Sequence, residues 1–128
     1  MAEDLIPTDL RRFILTSIDS VPYLETLLLF HRNQGESWGV KEVSGLLFVS
    51  EGDVAEALDR LRGAGFLSVS GRENLVYSYS PRSPAQGQMV DRLALVYAKH
   101  LIEITNLIHS KSGQKVRQFA EAFKLRKE

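Results

Sequence analysis

The sequence predicts a mainly α-helical domain closed by a small β-hairpin, on three observations. Two helix starts of the same design, around Gly39 and around Ser50, follow one another with almost no loop between them. A short run at Phe66–Ser70 and an alternating run at Leu75–Ser80 flank a Gly71-Arg72-Glu73-Asn74 turn, the pattern of a hairpin. Apolar residues at helical spacing precede and follow this central block.

Each element has its own signal. Pro7 and Thr8 open a first helix, with Leu10, Phe13 and Ile14 on one face. Ser20 caps a second, Pro22 is tolerated in its first turn, and Gly35 ends it. Leu27 to Phe30 is an unbroken apolar run, so this helix is apolar on more than one face and belongs in a buried position. Gly39 is the next N-cap, with Glu42 at N3 and with Trp38 and Val43 placed as a hydrophobic staple; the helix spans about Val40–Phe48. Ser50 repeats the device with Asp53 at N3 and a Val49–Val54 staple. Its helix turns Val54, Ala57, Leu58 and Leu61 to the core and stops at Gly63 or Gly65. Helix, helix, helix, hairpin is the order of a winged helix-turn-helix. Pro81–Gln88 reads as a connector, and a long helix starts at Met89, with a break near Thr105 or Asn106. Ser110 or Ser112 then caps a final helix with Val116, Phe119, Ala120 and Phe123 on one side and cations on the other.

The 128 residues read as one domain, with a winged-helix core over 20–80 and a helical extension over 88–127. With 44% hydrophobic and 25% charged residues the composition is that of an ordinary globular protein. Absent cysteine excludes disulfides, zinc–thiolate sites and cysteine nucleophiles. His31, His100 and His109 form no His-Glu-x-x-His pattern, and no P-loop, Gly-x-Ser-x-Gly or dinucleotide fingerprint is present. The expectation is therefore a non-enzyme with no catalytic residue, cofactor or metal. Met1–Leu10 lacks the pattern of a signal peptide and no apolar stretch reaches roughly 18 residues, so a cytoplasmic protein without a membrane partner is expected.

Three segments carry a family resemblance: Ser37-Trp38-Gly39-Val40-Lys41-Glu42-Val43, then Val54 to Leu61, then Gly63-Ala64-Gly65-Phe66-Leu67. They resemble the winged-helix core of MarR-like bacterial transcription regulators, over about residues 20–80. Asn106-Leu107-Ile108-His109-Ser110 and the run Phe119 to Lys127 look like the tail of a branch of bacterial winged-helix proteins, a likeness that supplies no activity. What the first resemblance implies is DNA binding through the second helix of the motif and the wing. Winged helices also serve as protein-interaction modules, so an adaptor that binds a protein instead of DNA is the alternative.

Charge bears on that choice. Residues 36–80 hold Lys41, Arg60, Arg62 and Arg72 against seven carboxylates: Glu36, Glu42, Glu51, Asp53, Glu56, Asp59 and Glu73. With Val54 inward, the outward face of its helix centres on Gly52, Glu56, Asp59, Arg60 and Gly63. The candidate DNA contacts are Lys41, Ser50, Glu56, Arg60, Arg62 and Arg72, a set poor in cations for a phosphate-binding surface. Glu51, Asp53 and Glu56 suit a helix N-terminus, which leaves Asp59 over. Lys115, Arg117, Lys124, Arg126 and Lys127 form a basic tail suited to phosphates, to an acidic partner or simply to solvent. Val90, Leu93, Tyr97, Leu101, Ile104 and Ile108 make an apolar stripe longer than the core needs, which predicts a homodimer; folding back on the N-terminal helix is the other option. Tyr23, Phe30, Trp38 and Phe48 are candidates for a small-molecule pocket or for core packing, with packing favoured.

Overall fold

The structure is a computed structural model that describes residues 5–111. Helix α1 (Thr8–Ser17) begins after Pro7, whose carbonyl accepts from the Arg11 N–H at 2.8 Å. Helix α2 (Val21–Arg32) is capped as expected, with the Ser20 hydroxyl accepting from the Tyr23 N–H at 3.2 Å. Leu27, Leu28, Leu29 and Phe30 are all buried. Successive residues on a helix point about 100° apart, so four buried in a row need neighbours on every side. Thr26, the buried polar residue among the described ones, donates its hydroxyl to the Pro22 carbonyl at 2.7 Å.

Helices α3 (Val40–Leu47) and α4 (Glu51–Gly63) form the helix-turn-helix. Gly39 has no side chain to cap with, but the Glu42 carboxylate returns to accept from its N–H. The Ser50 hydroxyl accepts from the Asp53 N–H at 3.2 Å and starts α4. At the far end of α4, Gly65 adopts φ 87°, and the Phe66 N–H bonds the Leu61 carbonyl at 3.0 Å, closing the helix in a Schellman-type turn.

Strands β1 (Leu67–Ser70) and β2 (Val76–Tyr79) pair antiparallel in the register Leu67↔Tyr79 and Ser70↔Val76. Gly71 starts their turn at φ 98°, where a Cβ would stand 2.5 Å from the Asn74 carbonyl oxygen. Trp38 adds a feature beyond the expected two strands. Its N–H and carbonyl exchange bonds of 2.9 and 2.8 Å with Tyr77, tying the start of α3 to the wing.

The extension departs from expectation twice. Helix α5 (Pro84–Lys99) begins within the stretch read as a connector. Ser83 caps it by accepting from the Gln86 N–H at 3.1 Å, and Pro84 occupies its first turn, where a missing N–H costs nothing. The break falls at His100 (φ −131°, ψ 50°), not near Thr105 or Asn106, and residues 101–111 continue as helix α6. The His100 carbonyl accepts from the Ile104 N–H at 3.1 Å, so one residue ends α5 and starts α6.

This bend also corrects the reading of the stripe as surplus. Val90, Leu93, Tyr97, Ile104 and Ile108 are buried in the core of a single chain, whereas Leu101 is 52% exposed. Helix α5 packs on α1 and α2, and α2 also meets α3, α4 and β2. Polar ties span these packings: Tyr97 donates its hydroxyl to Glu25 at 2.7 Å, His31 meets Asp91 at 2.7 Å, and Arg92 holds Asp9 with bonds of 2.6 and 2.9 Å. The tail residues Lys115, Arg117, Lys124, Arg126 and Lys127 lie outside the described residues.

Hydrogen bonds from Arg92 hold the Asp9 carboxyl at about 2, below its ordinary value. A depressed carboxylate stabilises the fold above its unfolded pKa of about 3.9, and that contribution fades as pH falls through the folded value. Asp9→Asn is therefore expected to flatten the fall in stability between about pH 4 and pH 2, measured by urea unfolding. The pair is exposed, so the change is small; parallel acid limbs in the two proteins would show that it contributes nothing.

Candidate nucleic-acid interface

Helix α4 is seated by Val54, Ala57, Leu58 and Leu61, all buried, and every other residue from Glu51 to Gly63 is exposed. Its outward face is thus the one that helical spacing predicts. The cations on it are not. The Arg60 guanidinium turns toward the start of α2, where Asp19 holds it at 2.5 Å, and Glu56 lies 3.4 Å away. Arg62 pairs with Asp59 at 3.1 Å, which accounts for the carboxylate that helix-end electrostatics left over. Both arginines expected to face DNA are engaged by carboxylates of their own chain.

Lys41, on α3, and Arg72, in the wing turn, are exposed and make no ion pair among the described residues. Lys41 lines an open groove of about 560 Å³ between the helix-turn-helix and the wing, in the company of Glu42, Glu51 and Glu73. Ser50 is exposed but committed to its cap, and Glu56 points outward. Lys41, Ser50, Glu56, Arg60, Arg62 and Arg72 are all exposed, and the groove that Lys41 lines holds three carboxylates against that one cation.

Sequence patterning missed the apolar component of this region. Phe48 ends α3 in the left-handed region, at φ 56°, and its side chain is 94% exposed. Leu46, on the last turn of α3, is also exposed, as are Val69 and Leu75 in the wing. A bulky residue with positive φ is an outlier, and nothing in the sequence flags the conformation because glycine, its usual marker, is absent at 48. The Ser44 hydroxyl fixes the turn by donating to the Val49 carbonyl.

The four aromatics considered for a ligand pocket do not converge on one. Phe30 is fully buried, Trp38 packs on it with ring centroids 5.5 Å apart, and Phe48 is in solvent. Tyr23 lines a cleft of about 710 Å³ with Phe13, Asp19, Arg60, Phe66 and Arg82. Burial and the neighbouring Asp19 push its hydroxyl up to about 12, so it stays protonated across the neutral range. No cluster of three or more metal-ligating side chains occurs among the described residues. No single helix among them is long and apolar enough to cross a membrane.

No family model and no curated protein matches the sequence. The fold does have solved counterparts. The structure is similar to BpsR of Bordetella bronchiseptica, whose regulation of DNA binding by 6-hydroxynicotinic acid has been described, at TM-score 0.54 and 18% identity, covering 98% of this chain and 79% of that one. It is similar to the adhesin competence repressor AdcR of Streptococcus pyogenes at TM-score 0.53 and 12% identity, covering 87% and 82%. A mutant of ZitR from Lactococcus lactis matches at TM-score 0.51 and 14% identity, covering 85% and 75%. The chain has the winged helix-turn-helix fold of these transcription regulators.

Because Phe48 is strained and buries almost nothing, Phe48→Asn is expected to stabilise the fold by about 0.5–1 kcal/mol, asparagine tolerating the left-handed region better. A higher urea midpoint at unchanged slope is the expected reading. A midpoint lowered by a similar amount would mean the ring packs against something in solution.

Proposed function

We propose that the protein is a DNA-binding transcriptional regulator of the MarR-like kind, a cytoplasmic homodimer that acts without chemistry. The observation that carries this reading is α4. It is capped by Ser50, anchored along one edge and exposed along the other, directly behind a tight turn and ahead of a hairpin wing. A helix so presented fits the major groove, with its N-terminal residues at the base edges. BpsR, which shares the fold, is a protein whose DNA binding is regulated, and that supports the same use here.

In this reading Lys41 and Arg72 supply phosphate contacts, and a dimer doubles them. Ser50 and Glu56 stand at the bases, where a glutamate can accept from cytosine N4. Arg60 and Arg62 act only by leaving Asp19 and Asp59. Few phosphate contacts mean weak non-specific binding, so sequence preference has to come from base contacts or from DNA shape.

A specific observation favours the second reading, an adaptor that meets a protein. Exposed Leu46 and Phe48, at the turn into a helix whose exposed residues include Glu51, Asp53, Glu56 and Asp59, suit a partner with a basic rim and an apolar pocket better than they suit a polyanion.

A labelled random duplex followed by fluorescence anisotropy separates the two. With about four phosphate contacts per dimer, affinity is expected to fall roughly 100-fold between 50 and 200 mM salt. Glu56→Lys with Asp59→Lys is expected to tighten DNA binding, and to abolish capture of a basic protein partner. No binding at 50 mM salt with tens of micromolar protein would overturn the DNA reading.

A further inference from the structure

We infer that protonation of His31 links the wing to α5. A proton taken from solvent on Nδ1 makes the imidazole a donor in two directions, with Asp91 of α5 on one side and the Tyr79 hydroxyl of β2 on the other. The contact lies inside the fold and stands whether or not the wing meets DNA.

The first support is where the ring sits. His31 lies in the last turn of α2, the helix that packs on both α5 and β2. Its side chain is 16% exposed, and its Nε2 stands 2.7 Å from Asp91 Oδ1. An ionised carboxylate only accepts, so in the neutral ring Nε2 carries the hydrogen and Nδ1 bears a lone pair. The tie between α2 and α5 thus uses one of the two ring nitrogens.

The second support is a pair of buried polar atoms without a protein partner among the described residues, His31 Nδ1 and the Tyr79 hydroxyl. They belong to rings packed edge to face, with centroids 5.6 Å apart and planes at 88°. Buried polar atoms are nearly always hydrogen-bonded, so two orphans on neighbouring rings call for a physical account. Protonation replaces the Nδ1 lone pair with a buried, charged N–H that has to find an acceptor. The hydroxyl on the adjoining ring is the acceptor that the fold offers. Burial and the nearby Asp91 push that hydroxyl up to about 12, so it stays neutral wherever an imidazole titrates.

The third support is the charge around the ring. Leu27 and Leu28, one turn back on α2, are apolar and buried, and Arg32, next in sequence, is exposed. On α5, Arg92 is committed to Asp9. In the connector, the Arg82 side chain lies along Gly65 at the end of α4. Among the described residues, Asp91 is therefore the charge paired with His31. The C-terminal end of α2 adds a partial negative charge that suits an imidazolium.

The consequence falls on the wing. Tyr79 pairs with Leu67 at the base of the hairpin, whose far end carries Arg72. With the ring neutral, the wing is held by its own ladder, its packing and the Trp38–Tyr77 bridge. With the ring charged, a further bond fixes the base of β2 to α2 and, through Asp91, to α5. Acidification thereby sets how firmly the wing is held against the body of the domain.

NMR of the imidazole nitrogens in the isotope-enriched full chain, between about pH 8 and pH 5, reads tautomer and charge directly. The neutral His31 ring is expected to carry its hydrogen on Nε2. As it charges, the amides of Leu67–Ser70 and Val76–Tyr79 are expected to shift with the same midpoint, distinct from those of His100 and His109. In Tyr79→Phe, which keeps the ring, His31 still charges but the Leu67–Ser70 amides no longer follow it. In His31→Gln the wing amides are expected to stay flat over the same range. A neutral ring protonated on Nδ1, or a ring that stays uncharged down to pH 5, overturns the inference. So do wing amides that stay still while His31 charges, that follow it equally in Tyr79→Phe, or that still titrate in His31→Gln.

Discussion

Everything in this fold rests on the burial of α2 from all sides. A helix whose residues 27 to 30 are consecutively apolar cannot lie on a surface, so α3, α4, α5 and β2 have to close around it. That requirement sets which edge of α4 faces inward. Val54, Ala57, Leu58 and Leu61 are buried as α4 packs on α2 and α3, and the opposite edge is left for solvent or a partner. The wing is held to the same centre by the Trp38–Tyr77 bridge and by the Phe30–Trp38 ring contact. One buried helix thereby orients both parts of the candidate interface.

The second determinant is the use of charge. Asp19 sits at the junction of α1 and α2, and it collects Arg60 from α4 and Lys111 from α6. That clamp draws a cation away from the outward face of α4 while Glu56 and Asp59 remain there. The first-turn acids of α4 complement its N-terminal dipole, and Asp59 answers Arg62 one turn on. Local stability accounts for each of these carboxylates. Their sum is a surface whose field is unfavourable to phosphates, and phosphate contact normally dominates affinity for DNA. A winged helix built this way, if it binds DNA as proposed, gains selectivity from weak non-specific binding; otherwise it meets a protein.

The features legible in the sequence were those coded by near neighbours. Ser20 and Ser50 announce α2 and α4 because a cap is a contact across three residues, and the inward set of α4 follows from its period. The start of α5 was hidden because Pro84 marks either a loop or a first turn, and only the Ser83 cap decides. The bend at His100 carries no glycine or proline, and tertiary packing of Ile104 and Ile108 into the core makes it worthwhile. The Asp19–Arg60 clamp joins residues 41 apart, so periodicity gave no hint that the arginine would be drawn aside. The left-handed Phe48 ran against the residue preferences from which turns are read.

The proposed function requires the outer edge of α4 and the wing turn to form one binding surface. Amide chemical-shift mapping of the full chain against a duplex that it binds tests this most directly. Shifts concentrated at Ser50–Arg62 and Gly71–Asn74 are expected, with the α1–α5 packing undisturbed. Binding accompanied by shifts confined to α1, α5 and the cleft between them would contradict it.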